Sequence, residues 1–107
     1  MRDLKWSPSE KIIARKAFDQ ALVAELRDVV QRAKQIAAEV KEPSELWELE
    51  TWLRQRRVEI DRKYDYRYSV LPMVFATLLK QRRISEKDLH GLHDEKIDLI
   101  VGIASRL

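Results

Sequence analysis

The 107-residue sequence contains no cysteine, only two glycines and only three prolines. Without cysteine the chain forms no disulfide, no thiolate metal site and no cysteine nucleophile. The scarcity of glycine and proline excludes a small β-barrel or β-sandwich, because such folds need a turn about every 8–12 residues. No apolar run reaches the ~18 residues of a membrane-spanning helix, and the first five residues lack the apolar core of a signal peptide. These absences favour an all-helical cytoplasmic protein.

Apolar and charged residues make up most of the sequence. Hydrophobic types account for 45% and charged types for 36%, which excludes intrinsic disorder because the apolar residues are frequent and periodic. The net charge of +3 is unevenly distributed. Residues 54–84 carry nine basic and three acidic side chains, a block of +6, whereas residues 85–107 carry three basic and five acidic ones. This basic block either steers an acidic partner or forms an ordinary solvated helix face.

A capping box marks the start of the first helix. Ser7 is a suitable N-cap, Pro8 fits the first helical position, and Glu10 lies three residues after the cap. No helix breaker follows until Pro43, which predicts a helix over 8–40, about 50 Å long at ~1.5 Å per residue. Such a helix is too long for one small globule, so a second long helix or another chain must cover its apolar stripe. The stripe has coiled-coil spacing and consists of Phe18, Leu22, Leu26, Val29, Ala33, Ile36 and Val40.

A second long helix is expected to run back along the first. The link at 41–43 is short, which makes the two helices antiparallel neighbours, and Ser44 is the expected N-cap. The second helix is predicted from Glu45 to about Tyr64–Tyr68, with Leu49 and Trp47 bordering its stripe. That stripe is read as Leu46, Glu50, Leu53, Arg57, Ile60 and Tyr64. Two charged residues therefore occupy positions where the pattern requires apolar ones.

These two charges suggest how two chains could pair. Glu50 and Arg57 lie about 10 Å apart along one helix, so they do not meet within one straight chain. If two copies run antiparallel across a dyad near Leu53–Arg54, each glutamate faces the partner's arginine and both charges are paired. Alternatively, a slight rotation of the helix carries both charges to water. The homodimer interface is predicted to contain Leu46, Leu49, Glu50, Leu53, Arg57 and Ile60.

The sequence of the C-terminal third predicts a cluster of three short helices. Ser69 is the expected cap of a helix with Pro72 in its first turn, and Ser85 with Asp88 forms a capping box for a short helix ending near Gly91. A last helix is predicted over about 94–105. The predicted fold is all-α: a long antiparallel hairpin forms a dimerisation stalk (residues 1–68) and carries a helical head (residues 69–107). The two parts make a single structural domain.

Residues suited to catalysis are missing from the sequence. His90 and His93 have no matched third metal ligand. Four of the six serines are explained as helix caps, and no serine lies in a nucleophile motif with a partner base. We therefore expect no catalytic residue, no cofactor and no metal, and the protein is not expected to be an enzyme. Nucleic-acid binding suits the sequence pI of about 9.3, but the last 23 residues are net acidic and disfavour a recognition helix there.

Aromatic and arginine side chains on the second helix are the candidate partner-binding residues. They have the composition of binding hot spots: Trp47, Trp52, Arg54, Arg57 and Tyr64. The two tryptophans lie five positions apart and cannot both point into one seam, so at least one is expected to face outward or into a partner. The alternative is that both pack against the first helix.

The run Glu-Ile-Asp-x-Lys-Tyr-Asp-x-Arg-x-Ser-Val at 59–70 resembles the fluorescence recovery protein family of cyanobacteria. Leu46-Trp47-Glu48-Leu49 before it, and Trp6-Ser7 with Glu10 at the start, extend the resemblance over nearly the whole chain. It implies an all-helical dimer that is not an enzyme. The family binds the photoactivated orange carotenoid protein and speeds its return to the inactive orange form. The resemblance also implies that Trp47 and Arg57 belong to the binding surface.

The sequence departs from the family at an adjacent His-Asp pair, which is Glu50-Thr51 here. In the family the Asp is important for function and the His lies by the dimer interface. Two interpretations therefore stand beside each other. In the first, the protein regulates an orange carotenoid protein or a relative of it. In the second, it is a dimeric helical adaptor of the same fold with a different partner.

Overall fold

The computed structural model describes residues 4–107 and is all-helical over that range. Helix α1 spans Pro8–Glu39, α2 Glu45–Lys63, α3 Leu71–Lys80 and α4 Asp94–Arg106, with a 3₁₀ helix at Glu86–Leu89 between α3 and α4. The molecule is elongated, with principal extents of 54 × 23 × 22 Å. The predicted all-α class is confirmed. Residues 1–3 lie outside the described residues. They belong to the predicted stalk segment and to the N-terminus that is expected to carry no signal peptide.

Helix α1 begins with the predicted capping box. The Ser7 hydroxyl accepts a hydrogen bond from the Glu10 backbone N–H at 3.2 Å, and the Glu10 carboxylate accepts one from the Ser7 N–H at 3.0 Å. Pro8 occupies the first turn, where its missing N–H needs no partner. The helix then continues for 32 residues, because no proline or glycine interrupts it. The prediction of its limits from local signals is confirmed to within one residue.

In the turn between α1 and α2, the capping hydrogen bonds come from a side chain other than that of Ser44. Ser44 has helical backbone angles and makes no side-chain capping bond. The Glu45 carboxylate instead accepts from the backbone N–H groups of Lys41 and Glu42, at 3.1 and 3.4 Å. Ser44 occupies the predicted N-cap position, but its side chain caps nothing because residues 42–44 already form a helical turn, closed by the Glu45 N–H bonding to the Glu42 carbonyl at 3.0 Å.

Helix α2 ends at Lys63, and an extended connector (residues 64–70) leads to the head. Three tyrosines alternate along this connector and pack on the first half of α1. The rings of Tyr64 and Tyr66 meet Phe18 edge-on, with centroids 5.4 and 4.9 Å away. Tyr68 packs against Trp6 at 5.7 Å. The predicted helix end at about 64–68 therefore falls within the connector.

The head begins without the predicted Ser69 cap. The carbonyl of Arg67 closes the turn by accepting from the N–H groups of both Val70 and Leu71, so that Ser69 lies in the turn and Val70 precedes the helix. Pro72 lies in the first turn of α3, as predicted. The Ser85–Asp88 capping box is also confirmed, although the helix it begins is a 3₁₀ helix.

The core of the head includes the first half of α1. Three alanines of α1 are buried in the same cluster as side chains of α3 and α4, and their small size lets the head approach the helix closely. This corrects the expectation that three short C-terminal helices cover one another as the head, because they need α1 to complete their core. Helix α2, in contrast, contains no fully buried residue. The buried residues include Ala14, Ala17, Phe18, Ala21, Leu71, Phe75, Leu78, Leu89 and Ile100.

Candidate partner-binding and dimerisation surfaces

Trp47 lies on the outer face of α2. Its side chain is 65% exposed, and it borders a shallow hollow of about 330 Å³ that Thr51 and Gln55 also line. Thr51, Arg54 and Val58 follow Trp47 at spacings of four, three and four, so they lie on the same helix face, and all of them are exposed. A large exposed tryptophan is costly to leave in water and is typical of an interaction surface.

Trp52 lines the same hollow as Trp47 but is less accessible. It is half-buried, and the Arg56 guanidinium lies over its ring at 5.5 Å from the centroid. The expectation that at least one of the two tryptophans faces outward is confirmed by Trp47. The alternative in which both pack against α1 is wrong for Trp47. Only Trp47 is therefore freely available to a partner.

The charged residues of the predicted stripe have intrachain partners on α2. The Glu50 carboxylate pairs with the Arg54 guanidinium one turn later. Arg57 is 84% exposed, with its Nε 3.9 Å from the Asp61 carboxylate. Glu50 and Arg57 do not meet within the chain, as their spacing predicted. Exposed pairs of this kind contribute little to stability, so both charges remain available for other contacts.

Tyr64 is occupied inside the molecule. Its hydroxyl donates to the Glu25 carboxylate at 2.7 Å, and its ring packs on Phe18. Burial and the bond to Glu25 raise the pKa of Tyr64 well above its usual range. The structure thus separates Tyr64 from the exposed face that carries Trp47. It fixes the end of α2 on α1 instead.

An apolar groove runs between α1 and α2 along one side of the stalk. It has a volume of about 710 Å³. Leu26 on α1 and Leu53 on α2 line it and remain 43% and 41% exposed. Of the predicted interface residues, Leu46 is also exposed, whereas Leu49 and Ile60 are half-buried. The groove lining consists of Leu22, Leu26, Val29, Leu53, Arg56, Arg57, Ile60, Asp61 and Tyr64.

Most of the basic block at 54–84 is neutralised by the chain itself. Six of its nine cations form ion pairs, in part with acidic residues outside the block. Glu25 and Asp28 of α1 pair with Lys63 and Arg83. Within residues 4–107, three cations of the block have no ion-pair partner: Arg62, Lys80 and Arg82. Acidic residues outside the block therefore neutralise half of the +6 excess seen in the sequence.

Two carboxylates on α1 form long-range ion pairs, and no local sequence signal marks them for this role. Glu10 pairs with Lys96 at 3.0 Å, and Glu25 pairs with Lys63 at 2.6 Å. Their partners lie 86 and 38 residues away, so only the tertiary fold brings them together. On one face of α1 the two glutamates flank three buried alanines, and this pattern can be interpreted only once the position of the head is known.

Within residues 4–107, no group of three or more histidine, aspartate or glutamate side chains is arranged to hold a metal ion. His90 and His93 are both exposed. Over the same described range, none of the helices is both long enough and apolar enough to cross a membrane. The exposed α2 face and the stalk groove are thus the surfaces best suited to function.

Comparison with known proteins gives consistent results. The model of the family described as photoprotection regulator fluorescence recovery protein matches residues 6–104. The chain is 34% identical over 99 residues to the fluorescence recovery protein of Synechocystis sp. PCC 6803, covering 92% of this chain and 91% of that protein. The structure of the Fremyella diplosiphon fluorescence recovery protein is similar with a TM-score of 0.88 at 39% identity, over 96% of this chain and 100% of that one. The Synechocystis structure matches with the same TM-score and coverage, at 34% identity.

Proposed function

The chain belongs to the fluorescence recovery protein family of photoprotection regulators, and we propose that it binds the photoactivated orange carotenoid protein and accelerates its return to the inactive orange form. The observation that carries this proposal is the family match over residues 6–104. The exposure of Trp47 and Arg57 on α2 supports it, because these residues match the binding positions that the resemblance implies.

The proposed mechanism is regulatory rather than chemical. A protein accelerates a conformational return by binding the arrangement between the two forms more tightly than the starting form. A rigid helical stalk can hold two separated domains of a partner close together, which raises the rate through proximity. The proposal therefore requires no catalytic residue and no cofactor. It places the protein in the cytoplasm with its partner.

A homodimer formed through the stalk groove is part of this proposal. A single chain leaves the apolar side chains of Leu26, Val30, Leu46 and Leu53 between 41% and 50% exposed along one side of the stalk. A second copy of the same hairpin would cover them, as packed long helices do. In that arrangement Glu50 and Arg57 lie beside the groove and pair across the dyad, which fixes the register of the two stalks.

Thr51 and Glu50 favour one alternative. The family resemblance implies an Asp and a His at these positions, and Thr51 lies next to Trp47 on the exposed face. A changed contact surface in this place suits a dimeric adaptor of the same fold with a different partner. The two proposals share the fold and the dimer and differ in what the Trp47 face recognises.

Size-exclusion chromatography with the photoactivated orange carotenoid protein tests the binding step. We expect the wild-type chain to co-elute with the photoactivated form. Trp47→Ala should weaken the complex at least about tenfold, since a central hot-spot tryptophan contributes 2 kcal/mol or more. Ile12→Ala is the matched control, because Ile12 is an equally exposed apolar residue on α1, at 72%. Failure of the wild-type chain to co-elute would contradict the proposal and favour the adaptor.

A further inference from the structure

One carboxylate, that of Glu25, joins three parts of the fold. Its Oε2 accepts a hydrogen bond from Lys63 Nζ at 2.6 Å, and its Oε1 accepts one from the Tyr64 hydroxyl at 2.7 Å. Arg83 Nε lies 3.5 Å from Oε1. Lys63 and Tyr64 close α2, whereas Arg83 follows α3 in the head. The side chain of Glu25 is only 14% exposed, so these contacts are shielded from solvent.

Two neighbouring contacts extend this cluster on the head side. The Arg83 guanidinium also binds Asp28, one turn along α1, at 2.6 Å. Lys63 Nζ donates a second bond to the Gln81 side chain at 2.7 Å. The loop that presents Gln81 and Arg83 is shaped by Arg82, whose φ of +60° is left-handed, and by the Arg83 N–H bonding to the Leu78 carbonyl at 2.8 Å. The cluster is thus held from both sides of the stalk–head junction.

The cluster lies where the two apolar regions of the molecule separate. On α1 the buried core of the head extends as far as Ala21, and the solvent-accessible groove begins at Leu22. Helix α2 contributes no fully buried side chain to either region. Apolar contact at the end of α2 is limited to the half-buried ring of Tyr64 on Phe18. Charge-assisted hydrogen bonds of this length, partly shielded from water, are among the stronger polar contacts in proteins.

We propose that the Glu25 carboxylate is a clamp that fixes the stalk against the head, so that its loss frees the end of α2 and the connector while the core of the head stays folded. The clamp sets the orientation of the α2 surface relative to the head. It is a conformational device distinct from the proposed contact with a carotenoid protein. It acts through Lys63 and Tyr64 on the stalk side and through Arg83 on the head side.

The electrostatics of Glu25 agree with this role. Burial raises the pKa of the Glu25 carboxyl, but the hydrogen bonds from Lys63 and Tyr64 and the nearby charges outweigh burial and lower it overall. The carboxylate is therefore charged at neutral pH. A neutral isostere at this position keeps the shape of the side chain and removes the ion pairs to Lys63 and Arg83.

Hydrogen exchange of the full chain, read by mass spectrometry, tests the clamp. In Glu25→Gln we expect the hydrogen-bonded amides of 60–70, those of residues 60–64 and 70, to exchange at least about tenfold faster than in the wild type, with amides of α4 unchanged. The matched control is Glu39→Gln, which changes an exposed carboxylate at the far end of the same helix and should leave both regions unchanged. Unchanged exchange at 60–70, or equal acceleration in α4, would overturn the proposal, because the carboxylate would then be dispensable or would stabilise the whole fold.

A second variant keeps the test decisive if Glu25→Gln reduces the yield of folded protein. Lys63→Gln removes the other half of the ion pair, from a side chain that is 16% exposed, and should produce the same local acceleration. In the double variant, exchange at 60–70 should be about as fast as in the faster single variant, because both substitutions remove the same ion pair. Fully multiplicative effects would show that the two residues act independently and would contradict the clamp. None of these readouts depends on the carotenoid protein.

Discussion

Glu10 is the most constrained charged residue of the molecule. Its side chain is almost completely buried and accepts hydrogen bonds from the backbone N–H groups of Ser7 and His93 and from the Lys96 ammonium, all between 2.9 and 3.1 Å. Burial raises the pKa of the Glu10 carboxyl, but these bonds outweigh burial and lower it to about 2. One residue therefore both caps α1 and holds α4 against it.

The lowered pKa of Glu10 predicts a pH-dependent stability. The folded state binds the Glu10 proton more weakly than the unfolded chain, whose ordinary pKa is 4.5. The contribution of Glu10 is therefore fully present above about pH 4.5 and is lost as the pH falls towards 2. Glu10→Gln should lower the free energy of unfolding by about 3 kcal/mol at neutral pH. Urea unfolding at fixed protein concentration measures this difference.

The pH series contains its own check. The gap between wild type and Glu10→Gln should narrow steadily below about pH 4.5, because the wild-type carboxylate is then being neutralised. Glu39→Gln, on the exposed end of α1, should stay within about 0.5 kcal/mol of the wild type at neutral pH. A gap that stays constant down to pH 2 would show that packing rather than charge explains the loss.

Substitution of the two glycines by alanine is expected to change the stability of the fold in opposite directions. Gly91 has a φ of +102°, and an added Cβ would lie 2.2 Å from the Ile13 Cδ1 atom on α1. Gly91→Ala should therefore destabilise the fold by about 1–3 kcal/mol through backbone strain and overpacking. Gly102 lies inside α4 with its nearest neighbour 4.0 Å away, so Gly102→Ala should stabilise it by about 0.5–1 kcal/mol. Urea unfolding of both variants tests the pair, and equal signs would contradict the packing at Gly91.

At the scale of the elements, the start of a helix can be predicted where no backbone carbonyl competes with the capping side chain for the same N–H groups. The Ser7–Glu10 box and the following uninterrupted run place α1 correctly. Ser44 and Ser69 carry the same kind of signal, but backbone carbonyls of Glu42 and Arg67 close the neighbouring turns first. A serine then has no free N–H within reach. Capping residues therefore mark a helix start reliably only when the preceding residues are extended.

Helix α2 has the least intrachain burial, and its charges test the proposed dimer. Glu50→Arg should weaken dimerisation because it places an arginine opposite the second chain's Arg57. Adding Arg57→Glu should partly restore dimerisation. The measurement is sedimentation of each variant across a range of concentrations. Glu48→Arg is the control, since Glu48 is exposed on the opposite side of α2 from the groove. If neither Glu50→Arg nor the double variant changes the association, the cross-chain pairing is wrong.

At the scale of the whole molecule, the long stalk and the need for a covering partner follow from the spacing of apolar residues. The composition of the head core does not, because Ala14, Ala17 and Ala21 give no sign in the sequence of which element they face. The same holds for Glu10 and Glu25, whose partners are distant in sequence. Residue type and spacing predicted only that at least one of Trp47 and Trp52 faces outward, and the family resemblance indicated Trp47. The inward position of Tyr64 depends on Glu25 and Phe18.

The rate of red-to-orange recovery in the dark tests the central claim most directly. Photoactivated orange carotenoid protein is mixed with the chain, and the absorbance change is followed after the light is switched off. The account predicts faster recovery with the wild-type chain, a large loss of this effect in Trp47→Ala, and an unchanged effect in Ile12→Ala. An unchanged recovery rate with the folded wild-type chain would contradict it and would leave a dimeric adaptor with another partner as the function of this fold.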